Sequence, residues 1–193
     1  TTGTQNTALG TSALLANTDA EANTAVGYNA LGSNTTGDDN IAIGKDALDA
    51  NTTANANTAV GTKALTTNTT GSSNEAFGYS ALEMNTTGNY NVAVGTKALE
   101  ENTTASNNTA VGGLCLDDNT EGEYNTAVGY NALTANTTAG TNTAVGAESL
   151  YSNTTGDKNT SLGYTSMYTN TTGYNQVAIG YRALNACTTG SRN

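Results

Sequence analysis

The residues able to do chemistry are few in this chain, and most recur at a fixed period instead of converging on one point. There is no His, so the commonest general base is missing. Ser and Asp have no constant neighbour and no carboxylate pair recurs, a pattern that predicts no enzyme activity. Calcium-binding solenoids need Asp at a fixed place in every unit. Here Asp38, Asp39, Asp46, Asp49, Asp117, Asp118 and Asp157 wander, so neither a metal nor a cofactor is expected. Five tyrosines crowd toward the C-terminal end: Tyr151, Tyr164, Tyr168, Tyr174 and Tyr181. Exposed Tyr can stack on a sugar or anchor a protein contact. These five form the candidate receptor contact, against the plainer reading that Tyr covers a corner of the fold.

The triplet Asn-Thr-Thr recurs at Asn34, Asn51, Asn68, Asn85, Asn102, Asn136, Asn153 and Asn170. It fits the glycosylation sequon, but the period generates it. Amides stacked unit on unit donate to and accept from one another and from turn backbone. The eight Asn are therefore read as structural ladders.

The elements that must position these residues follow from the period. Gly occupies 10, 27, 44, 61, 78, 95, 112, 129, 146, 163 and 180, every seventeen residues without insertion or deletion. The unit is N-T-A-V-G-Y-x-A-L-x-x-N-T-T-G-x-x, starting at Asn6, Asn23, Asn40, Asn57, Asn74, Asn91, Asn108, Asn125, Asn142, Asn159 and Gln176. One repeat domain spans 1–193, with no linker. Column three is Ala except Ser161; column four is always apolar; column nine is Leu except Met167; column thirteen is always Thr. Columns six, seven, ten, eleven, sixteen and seventeen vary and hold nearly all the charges. The column-five Gly is expected to supply a bend or a positive φ.

Gly and Asn disfavour helix, and the β-branched residues at columns two and four favour short strands. The expected fold is all-β, a parallel β-solenoid (β-roll) of eleven seventeen-residue coils, roughly 53 Å long at about 4.8 Å per coil. Neighbouring strand residues face opposite ways. With Val and Leu filling the inside, Ala25, Ala42, Ala59, Ala76, Ala93, Ala110, Ala127 and Ala144 would form an outward small-residue stripe. Such a stripe calls for partner chains, so a side-by-side homotrimer is expected. Cys115 is read as core filling and Cys187 as a ladder position. At roughly 19 Å apart they are too distant to bridge.

The net charge of −10, with only Lys45, Lys63, Lys97, Lys158, Arg182 and Arg192 as cations, argues against nucleic acid. No apolar run approaches a membrane span and the N-terminus shows no signal pattern. The unit as it stands at Asn23–Gly37 and Asn125–Ala139 resembles repeats of phage tail-fibre and tail-spike proteins. N-I-A-I-G at Asn40–Gly44 and Q-V-A-I-G at Gln176–Gly180 are similar to the N-S-V-A-I-G repeats of trimeric autotransporter adhesin heads. The resemblance implies a β-roll with three chains abreast, an extracellular or virion-surface location, and a cell-surface glycan or protein as receptor. The longer, constant unit and its N-T-T-G half depart from the adhesin pattern, which leaves handedness and coil shape open. The expected function is a structural or adhesive fibre segment; the alternatives are a self-assembling filament subunit and an ice-binding solenoid.

Overall fold

The computed structural model describes residues 2–192. Each unit opens with one three-residue strand, from β1 (Thr7–Leu9) to β11 (Val177–Ile179). All eleven lie in chain order in a single parallel sheet. Each residue pairs with its counterpart seventeen positions on, Ala25 with Ala42 and Ala42 with Ala59. The result is a β-solenoid of about ten coils. No helix occurs among the described residues.

The strands face the opposite way from the one expected. Ala25, Ala42, Ala59, Ala76, Ala93, Ala110, Ala127 and Ala144 are completely buried. The column-four residues point out, with Ile43, Phe77, Val94 and Val111 about two-fifths exposed. The outward Ala stripe is therefore incorrect. The reason is the tightness of the coil. Column three faces column eight across the core, as Ser149 Oγ donating to Ser161 Oγ at 2.7 Å shows. The Cys115 thiol reaches Ala127 O at 3.2 Å. With backbone that close, a methyl fits at column three and an isopropyl does not.

Column nine supplies the bulk of the core instead: Leu31 through Leu150 and Met167 are fully buried. Two adjacent residues, such as Ala47 and Leu48, both sit inside. Strand alternation would forbid this, but columns seven to ten are turn, and Leu48 has φ +52°. Columns seven and seventeen share that left-handed geometry, for example Lys63 at +62° and Tyr90 at +57°. For an ordinary residue it costs about 1–2 kcal/mol. Hydrogen bonds between coils hold it in place. Leu48 N–H donates to Ala64 O at 3.0 Å, Lys63 N–H to Lys45 O at 2.9 Å, and Ala56 N–H to Asp38 O at 3.0 Å.

Side-chain ladders close the remaining valences. Asn51 Nδ2 donates to Asn34 Oδ1 at 2.9 Å, and the chain of amides continues unbroken to Asn170 Nδ2 on Asn153 Oδ1. The column-one Asn forms a second ladder, with Asn40 N–H donating to Asn23 Oδ1 at 2.9 Å. Both meet at column fifteen, where Gly71 O accepts Asn57 Nδ2 at 2.9 Å and Asn68 Nδ2 at 2.8 Å. Thr hydroxyls of column thirteen form a third, Thr86 Oγ1 donating to Thr103 O at 2.9 Å. A fourth lies in column sixteen, which varies in sequence. Asp38, Asn55, Ser72, Asn89, Ser106 and Asp157 each accept the column-sixteen N–H of the preceding coil. What those residues share is a short side chain carrying oxygen.

Two adjacent glycines give a test of the stacking. Gly112 has φ +142°, and a Cβ there would lie 2.5 Å from Gly129 O; a Cβ on Gly113 meets nothing nearer than 3.7 Å. Gly112→Ala is expected to lower stability by about 2 kcal/mol or more through strain, while Gly113→Ala stays neutral or gains a few tenths. Urea unfolding of the two variants side by side reads the difference. In the same measurement Asn85→Ala, which empties a rung of the amide ladder, should lose about 2–4 kcal/mol.

Candidate functional site

The ladder Asn residues are not available to outside chemistry. Asn34, Asn51, Asn68, Asn85, Asn102, Asn136, Asn153 and Asn170 are fully buried, so the glycosylation triplet has no accessible acceptor. Cys115 is buried as well. Burial pushes its thiol up to about 12, which keeps it protonated and unreactive. Cys187 is half-buried at a ladder column.

Four of the five C-terminal tyrosines come together. Columns six and ten flank the inward turn residues on either side, and like side chains one coil apart lie over one another. Tyr164 and Tyr181 (column six) stack with centroids 5.9 Å apart and planes 10° from parallel. Tyr151 and Tyr168 (column ten) stack at 5.0 Å and 4°. Between the two stacks is a cleft of about 320 Å³, lined by Glu148, Tyr164, Thr165, Tyr168, Tyr181, Arg182 and Asn185. Tyr174 occupies column sixteen and lies outside it.

The polar lining is unusual for this molecule. The Arg182 guanidinium lies 5.9 Å over the Tyr181 ring, a cation–π distance, and makes no ion pair among the described residues. Asn185 Oδ1 is buried with no hydrogen-bond partner. Sequence reasoning grouped the tyrosines but missed Arg182, Asn185 and Glu148, all of them in columns that vary. The available signal was the pairing of columns: only the coil from Asn159 carries Tyr in both six and ten.

A second polar feature runs along column ten in the middle of the rod. Glu83, Glu100 and Asp117 stack in successive coils. Lys63 Nζ pairs with Glu83 at 3.0 Å and Lys97 Nζ with Glu100 at 2.8 Å. At the next coil Leu114 stands where Lys97 stood, and Asp117 makes no ion pair among the described residues. Burial, then the neighbouring Glu100 and Asp118 carboxylates, push Asp117 up to about 6. No cluster of three or more metal-ligating side chains occurs among the described residues.

The sign of the Asp117 effect is fixed by linkage. Its folded value lies above its ordinary one, so the folded state binds the extra proton. The contribution is fully present below about pH 4 and is lost as pH rises through about 6. Thermal unfolding across that range should show a falling midpoint in the unmodified chain. Asp117→Asn should flatten the fall and be the more stable protein above about pH 7; an unchanged profile would remove Asp117 as its source.

No family model matches the chain, and neither does a curated protein or a solved structure.

Proposed function

We propose that the chain is a rigid segment of an extracellular or virion-surface fibre, of the phage tail-fibre or bacterial-adhesin kind. In this reading it packs side by side with copies of itself, three favoured, and contacts a cell-surface receptor through its variable columns. The observation that carries the reading is the outward ladder of column four. Leu9, Val26, Ile43, Val60, Phe77, Val94, Val111, Val128, Val145, Leu162 and Ile179 form one apolar stripe along the whole sheet, widened by Ile41, Val92 and Val177.

A stripe of ten steps at about 4.8 Å is roughly 48 Å long, and apolar surface that extended marks an interaction face. Its best complement is another rod with the same pitch, because side chains then interdigitate in one phase from end to end. A copy has that pitch by construction, and closed cyclic arrangements are how copies bury a shared patch. Three abreast also suits the resemblance to adhesin heads.

One observation favours a second reading. Column two faces outward with column four, so Thr109, Thr126, Thr143 and Thr160 form a flat array of hydroxyl and methyl groups beside the stripe. An ice-binding face would use such an array. Ile41, Glu75, Val92 and Val177 interrupt that column, which disfavours a continuous ice plane, and thermal hysteresis near freezing tests it directly.

For the fibre reading, light scattering on the purified chain should give about three times 19.4 kDa. Val94→Lys combined with Val111→Lys places two charges in the stripe and should yield monomers with unchanged far-ultraviolet circular dichroism. A monomeric unmodified chain at micromolar concentration would sink the side-by-side arrangement. Electron microscopy separates finite rods from a growing filament.

A further inference from the structure

We propose that the tyrosine cleft of the last three coils is a saccharide site, taking one or two pyranose rings. The proposal rests on the receptor-contact reading and names the chemistry of that contact. Four observations carry it.

The first is the shape of the lining. Tyr164 and Tyr181 form one wall and Tyr168, backed by Tyr151, the other. A pyranose ring has an apolar C–H face, and a Tyr ring at the edge of a cleft gives it a platform with a hydroxyl to spare. At about 320 Å³ the cleft is at the small end of ligand pockets, which run from roughly 300 to 1,000 Å³. That suits a sugar better than a folded partner.

The second is the unmet hydrogen bonding. Asn185 Oδ1 is buried and accepts from nothing, a state that costs free energy unless a donor arrives. A sugar hydroxyl is such a donor once the Asn185 side chain turns toward the cleft that it lines. Arg182, held over Tyr181 without a carboxylate partner among the described residues, brings donors to the lining, and Glu148 brings an acceptor. Hydroxyls, which donate and accept at once, match this mixture. A carboxylate ligand would meet Glu148.

The third is that the repeat departs from its own pattern here, inside as well as out. Ser149, Ser161 and Ser166 replace core Ala, and Met167 replaces the core Leu. The three hydroxyls are satisfied inside the coil stack: Ser149 Oγ donates to Ser161 Oγ, Ser161 Oγ to Ser166 O at 3.0 Å, and Ser166 Oγ to Ala178 O at 3.3 Å.

The fourth is charge. From 142 to 192 the chain has three basic and two acidic residues, against three and fourteen before them. The acidic field that covers most of the rod stops short of the cleft.

The experiment is saturation-transfer difference NMR on the full chain with methyl β-galactoside, maltose and N,N′-diacetylchitobiose, each up to about 50 mM, since a shallow site implies dissociation constants near 1 mM or weaker. At least one sugar should show transfer strongest on its ring C–H protons. Tyr181→Ala and Arg182→Ala should each reduce it at least fivefold. Tyr28→Ala and Tyr130→Ala, which alter column-six tyrosines outside the cleft, should leave it unchanged. Circular dichroism confirms that every variant compared keeps the fold. Transfer from none of the three sugars, or equal loss in Tyr28→Ala and Tyr181→Ala, overturns the site. The light-scattering result is independent: a trimer without sugar binding removes only the saccharide site, and a monomer that binds sugar removes only the side-by-side packing.

Discussion

Every feature of this rod depends on the hydrogen bonds that join each coil to the next at the same or the adjacent column. No coil has a core of its own worth the name; a seventeen-residue turn around one Leu and two Ala buries little, and hydrophobic stabilisation scales with the apolar area removed from water. What each coil has is a series of backbone donors directed up or down the axis, and four side-chain columns that repeat the pattern. Such an assembly is close to one-dimensional, with stability set by nearest-neighbour interfaces. An insertion of one residue would put every column out of phase, which accounts for a period kept without exception from Gly10 to Gly180.

The same constraint explains where strain is tolerated. Leu in a left-handed conformation is a poor choice in isolation, yet all eleven column-nine residues adopt it. The conformation turns two consecutive side chains inward and leaves the N–H in line with the next coil's carbonyl, so packing and hydrogen bonding together outweigh a local cost of about 1–2 kcal/mol. At column five the geometry is extreme enough, and the next backbone near enough, that only Gly serves.

Function is left to the positions the stack does not use. Columns six, seven and ten carry the ion pairs, the unpaired Asp117 and the tyrosine cleft. Column sixteen looked equally free, but it supplies acceptors to backbone, which restricts it to short oxygen-bearing side chains in most coils. The outward strand residues form the broadest apolar surface, and the cleft at Tyr164, Tyr168 and Tyr181 the most chemically varied one.

The sequence by itself determined the period, the strand at columns two to four, the parallel in-register stack and the Asn and Thr columns, because identical residues at identical spacing can satisfy one another only by stacking. Its small and large apolar columns also marked what is constrained. Which of them faces inward was decided by tertiary structure alone. Alternation along a strand assigns two faces without saying which is the core, and the choice fell to the distance between columns three and eight, where Ala25 fits and Val26 does not. Tertiary structure likewise brought Tyr164, Tyr168 and Tyr181 to one cleft with Glu148, Arg182 and Asn185, because side chains from three different coils meet only after the chain has wound.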